Sequence, residues 1–195
     1  MYEPKNFDHL IGTPGFSEEL LKNHFTLYHG YVKNVNMLME ELRSLVEGQK
    51  TGTPAYAELT RRFGWEFNGM RLHELYFSNM TKDGGTLSPE SKLFQEIERK
   101  YRTKDIWEKD FRGIGAMRGI GWAVLYYDPV SKELFNVWVN EHDMGHLAGA
   151  VPLLVLDVFE HAYVLDYGLK RADYIEAFFK AIDGNVINER FKIIG

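Results

Sequence analysis

Between Leu20 and Leu42 apolar and aromatic residues recur every three or four positions, at Leu20, Leu27, Tyr28, Tyr31, Val35, Leu38 and Leu42, with His24 on or near the same stripe. That interval lays one face along a helix. Ser17-Glu18-Glu19 supplies a cap and an acidic first turn, and the pattern predicts a helix to about Leu45. Gly30 with Tyr31-Val32 predicts a bend near its middle. After a connection over Gly48 to Pro54, a second helix is expected from Ala55 to Met80 through Phe67, Met70, His73 and Phe77. Two long helices joined by a short loop imply an antiparallel hairpin.

Asp83-Gly84-Gly85 reads as a linker. Beyond it, Ser88 as a cap and Pro89 at the first helical position predict a helix over Leu93, Phe94 and Ile97, and Thr103 or Asp105 opens another through Trp107 and Phe111. From Gly119 the pattern changes to strands: Gly121 to Tyr127, a turn over Asp128 to Lys132, then Glu133 to Val139, with a third strand over Leu153 to Asp157. Helices return at Glu160 to Gly168, Ala172 to Ile182 and Asn185 to Phe191. The expected fold is α+β, with an N-terminal helical hairpin (residues 1–84) and a C-terminal unit (85–195) built on a small three-stranded antiparallel sheet surrounded by helices.

Composition narrows the chemistry. The chain has 195 residues, 45% of them hydrophobic, and no cysteine, so thiolate metal sites, disulfides and cysteine nucleophiles are excluded. A net charge of −5 without a long basic run argues against nucleic acid as a partner. No apolar run reaches the roughly 18 residues of a membrane span, and the N-terminus lacks a basic segment followed by an apolar one. The expectation is a cytoplasmic protein without membrane or nucleic-acid partners.

The candidate chemistry lies in the histidines. His24 and His73 fall on the inner stripes of the paired helices, and Asp157 and His161 straddle the end of the third strand, where one helical turn would bring them to one face. Three imidazoles and one carboxylate without sulfur suit zinc, iron or manganese. Each histidine could instead bond only a backbone carbonyl.

The string Asp157-Val158-Phe159-Glu160-His161-Ala162-Tyr163 resembles the Asp-x-Trp-Glu-His-Ala-Tyr signature of iron/manganese superoxide dismutases. Tyr31-Val32-Lys33-Asn34-Val35-Asn36, Gly119-Ile120-Gly121-Trp122 and Arg171-Ala172-Asp173-Tyr174-Ile175 are similar to the family's Tyr-Val-x-Asn-x-Asn, Gly-Ser-Gly-Trp and Arg-Pro-Asp-Tyr-Ile. The resemblance implies superoxide as substrate and one iron or manganese ion per chain, held by His24, His73, Asp157 and His161. It implies Tyr31 as gateway and proton path, Trp122 and Phe159 as apolar walls, and Arg171 as the charge that draws the anion inward. It also implies a homodimer in which Glu160 reaches the partner's ligand histidine, the counterpart of His161.

The departures carry expectations of their own. The family places a histidine four residues after the first ligand and the gateway tyrosine eight after it; here Tyr28 and Tyr31 stand at plus four and plus seven. One residue is missing, so Tyr31 keeps its role only if a local helix bulge differs. Val164 replaces the tyrosine that partners that second histidine, so this link across the dimer is expected to be lost. Gly69 matches manganese-type members, but the sheet glutamine is absent. His142 stands in its place as the donor to metal-bound solvent. The competing readings are a zinc metalloprotein and a structural protein that keeps only the fold.

Overall fold

The computed structural model describes residues 1–194. The first apolar stripe forms α1 (Glu18–Glu47), capped by Ser17 Oγ, which accepts from Leu20 N at 3.0 Å. It runs through Gly30, where a bend was expected, as one uninterrupted helix. A Cβ at Gly30 would meet nothing within 4 Å, and a glycine on an open face weakens a helix without kinking it. α2 (Pro54–Ser78) begins with proline at its first position behind a Thr53 cap and packs against α1 as the expected hairpin.

The segment after α2 is tied down. Thr81 N donates to Ala181 O at 2.8 Å and Gly85 N to Ile182 O at 2.9 Å, which joins the hairpin's end to the C-terminal helices. Ser88 does not cap a helix. Its carbonyl accepts from Ser91 N at 2.9 Å across a turn with Pro89 at the second position, and Ser91 caps α3 (Lys92–Tyr101) instead. Proline presets that turn position as readily as a first helical one, so Ser88-Pro89 did not mark the helix start. Thr103 caps α4 (Lys104–Gly115).

The sheet is three-stranded and antiparallel, in the order β2-β1-β3, with β1 (Gly121–Asp128) between β2 (Glu133–Asn140) and β3 (Val151–Asp157). Residues 121–127 of β1 are all buried, because α4 packs on the sheet beside α2 and α7 (Gly184–Ile194). Burial on both faces explains why this strand is a continuous apolar run. Register sets the site: Trp122 pairs directly with Asp157.

The helix expected over Glu160–Gly168 is broken. Phe159 is extended (φ −65°, ψ 152°), Glu160–Ala162 form a single 3-10 turn, Tyr163 leaves helical geometry (φ −147°), and only Val164–Tyr167 form a short α5. Ahead of it, Asp157 Oδ1 accepts from Phe159 N at 2.8 Å, an Asx turn that holds the chain extended up to the 3-10 turn. α6 (Arg171–Ala181) follows. No described helix is long and apolar enough to cross a membrane.

Candidate metal centre

His24 from α1, His73 from α2, Asp157 at the end of β3 and His161 on the 3-10 turn converge, with one donor atom of each within 4.8 Å of the others. Asp157 Oδ2 is the hub: His24 Nε2 and His161 Nε2 lie 3.2 Å from it and His73 Nε2 3.6 Å. The Asx turn, rather than the expected helical turn, brings Asp157 and His161 together. His24, His73 and Asp157 are buried, while the His161 side chain keeps 28% exposure on the side facing solvent.

The donor set fits a cation. His73 Nδ1 donates to Gly69 O at 2.6 Å, which leaves the lone pair on Nε2. That Nε2 is fully buried and has no hydrogen-bond partner. An orphaned acceptor aimed at a carboxylate and two further imidazole nitrogens costs free energy unless an ion joins them. Burial pushes His24 and His73 below the ordinary imidazole range, Asp157 only partly opposing it, so both favour the neutral, ligating form. Burial alone would raise the Asp157 carboxyl, but the His161 and His24 imidazoles hold it well below the usual carboxylate range.

A second layer stands beside these four. Trp122 Nε1 donates to His142 Nδ1 at 3.1 Å, and His142 Nε2 lies 2.8 Å from Tyr31 Oη. The indole can only donate, so Nδ1 accepts and the neutral ring carries its proton on Nε2, which donates to Tyr31. Burial lowers His142 to about 4 and raises the Tyr31 phenol above its ordinary range. The Tyr31 ring lies 5.1 Å from His73, and Phe159 stacks on His142 at 4.8 Å and on His161 at 5.1 Å. The structure thus brings Tyr31, Trp122, His142 and Phe159 to the four donors.

Tyr31 reaches this position without a bulge, because α1 is a regular helix throughout. Seven residues turn a helix by about 700°, within roughly 20° of two full turns, so plus seven keeps Tyr31 on the face of His24. A spacing of eight is the one that requires an extra residue.

Arg171 lies apart from Tyr31 and His142 in its contacts. Its guanidinium donates to Met117 O (2.6 Å), Gly119 O (2.8 Å) and Tyr163 Oη (3.2 Å). The Glu160 side chain is exposed and has no hydrogen bond or ion pair among the described residues. Tyr28 turns inward, donating to Glu74 Oε1 at 3.1 Å and accepting from Lys5 N at 3.0 Å.

Sequence reasoning overlooked Trp65. Its ring lies 4.4 Å from His142 and 5.9 Å from Tyr31, under the Arg62 guanidinium at 4.0 Å. Its signal was the four-residue ridge Trp65, Gly69, His73 on α2.

Comparison with known proteins agrees with this geometry. Residues 89–190 match the family described as iron/manganese superoxide dismutases, C-terminal domain. The chain is 36% identical over 190 residues to a superoxide dismutase [Mn] of Haloarcula marismortui, covering 97% of this chain and 92% of that protein. It is 37% identical over 197 residues to a superoxide dismutase [Fe] of Aquifex pyrophilus (97% and 91%). It is also 38% identical over 182 residues to a superoxide dismutase [Mn] 2 of Haloferax volcanii (93% and 89%). With the four donors gathered at one point and these likenesses spanning nearly its whole length, the chain belongs to the iron/manganese superoxide dismutase family.

Proposed function

We infer that this protein is a cytoplasmic, homodimeric superoxide dismutase that uses one iron or manganese ion per chain, held by His24, His73, Asp157 and His161. The observation that carries the reading is the buried, partnerless Nε2 of His73 facing Asp157 Oδ2 at 3.6 Å. When bound, iron or manganese supplies a pair of adjacent oxidation states through which an electron passes from one superoxide anion to another. The donor set alone also suits zinc, which has no such pair; the relatives named for iron and for manganese favour the redox metals.

Dismutation turns paired superoxide anions and paired protons into dioxygen and hydrogen peroxide, so the chain's part is to admit a small anion and present protons. His142 holds one at Nε2 and gives its hydrogen bond to Tyr31 Oη. Tyr31 therefore directs its own proton away from His142, and its raised pKa keeps that proton in place until a strong base such as peroxide dianion forms beside it. Trp122 fixes the His142 tautomer, and Phe159 closes the apolar wall. For Arg171 we propose guidance by charge, since most of its N–H groups are committed to Met117, Gly119 and Tyr163.

The exposed, unpartnered Glu160 is assigned to the ligand histidine of a second copy across a two-fold axis, where each contact occurs twice. The inward Tyr28 and the exposed Val164 support loss of the other family link. The test is reconstitution of metal-free protein with iron, manganese or zinc. Superoxide consumption is expected with iron or manganese and not with zinc; inactivity with all three contradicts the reading.

A further inference from the structure

His142 sits on the chain reversal between β2 and β3. There Glu141 has φ +47°, and Asn140 and Met144 exchange backbone hydrogen bonds of 2.7 and 3.3 Å. A functional side chain carried on such a connection is held less tightly than one on a strand. The ring nevertheless has a strand partner in Trp122.

The backbone of His142 has a second tie to the same strand, through His146. His146 Nε2 lies 2.9 Å from His142 O, and its Nδ1 lies 2.8 Å from Tyr126 Oη. A carbonyl only accepts, so Nε2 carries the proton of the neutral imidazole, and Nδ1 accepts from the tyrosine hydroxyl. Burial raises the Tyr126 phenol to about 12, which keeps the proton it donates. No other hydrogen bond reaches His142 O among the described residues. Trp122 and Tyr126 are four residues apart on β1 and project from one face of it.

We propose that Tyr126 and His146 are positioning residues for His142. Tyr126, through His146, holds the His142 backbone to the central strand while Trp122 holds its ring, and the clamp keeps Nε2 at 2.8 Å from Tyr31 Oη. The proposal rests on the reading of His142 as a proton-holding donor. His146 lies on a cleft of about 290 Å³ lined by Arg71, Leu75, Tyr126, His146 and Pro152. Because His146 forms the wall of an open cleft, substituting it removes little core packing.

The test uses metal-loaded His146→Ala, His146→Gln and Tyr126→Phe. A glutamine amide presents one acceptor and one donor in place of Nδ1 and Nε2–H, alanine presents neither, and phenylalanine removes the hydroxyl alone. We expect His146→Ala to lower kcat on the order of tenfold at unchanged metal content. It should also speed hydrogen exchange of the segment 140–147, read by mass spectrometry. Tyr126→Phe should move both readouts the same way by less, and His146→Gln should restore both. Wild-type kcat with unchanged exchange in His146→Ala overturns the proposal. So does an equal loss in the alanine and glutamine variants, which would assign the effect to bulk. The reading of His142 fails separately if His142→Leu keeps full turnover, and the exchange measurement reports on the clamp in either case.

Discussion

The ring of Tyr31 occupies the space beside Gly69: a Cβ at position 69 would meet Tyr31 Cδ1 and Cε1 at 2.7 Å. Alanine in place of glycine inside α2 favours the helix by up to about 1 kcal/mol. Overlap in a packed interior costs roughly 1–3 kcal/mol. The overlap wins, and the ring must shift. Gly69→Ala is therefore expected to keep its metal but lose turnover, on the order of tenfold, as Tyr31 leaves His142. Metal analysis and steady-state superoxide consumption check this; wild-type turnover would show that Tyr31 has room to spare.

Tyr31→Phe removes the acceptor of His142 Nε2–H without disturbing the ring's packing. We expect metal content and fold to be retained and kcat to fall roughly tenfold, the scale of lost outer hydrogen bonds at metal sites. If kcat is unchanged while KM rises, the hydroxyl serves entry of the anion rather than proton supply.

Much of this was legible in the sequence, and the exceptions have physical causes. The stripe through Leu20, Tyr31 and Val35 and the run Leu153 to Asp157 announced α1 and β3, because burial of one face leaves a period in the sequence and burial of both leaves a continuous apolar run. Of the four donors, Asp157 and His161 were legible through the signature string, and His24 and His73 through the inner stripes of the paired helices. The break after Asp157 was not, since an Asx turn and a helical first turn use the same residue types. For Tyr31 the spacing called for a helix that differs locally from the family's, and α1 is regular there, so that plus seven keeps Tyr31 on the face of His24. Tyr126 and His146 could not be read because each acts through a partner on another element, and such contacts leave no local period; Trp65 left only its place on the ridge through Gly69 and His73.

Buried imidazoles make the metal-free protein sensitive to acid. Burial lowers His24, His73 and His142, the last to about 4, from the ordinary 6.5. Lowered folded values mean that the unfolded chain binds more protons below pH 6.5. This contribution to stability is complete above pH 6.5 and is lost as pH falls towards about 4. Asp157, also lowered, adds a further loss below pH 3.8. Urea unfolding midpoints of metal-free protein should decline steadily across that interval; a flat profile would contradict the burial of these rings.

Glu160→Ala is expected to weaken the dimer and the metal site together, since the carboxylate is assigned to a ligand histidine of a second copy. Sedimentation should show a monomer fraction that grows on dilution, accompanied by lower metal content. A tight dimer with full metal would remove Glu160 from the interface.

The central claim, that His24, His73, Asp157 and His161 hold a redox metal that dismutates superoxide, is tested most directly by metal content and activity measured on one purified sample, wild type beside His161→Ala. We expect close to one iron or manganese per wild-type chain with dismutase activity, and loss of both in the variant. A wild-type protein that holds only zinc and stays inactive after loading with iron or manganese would contradict it.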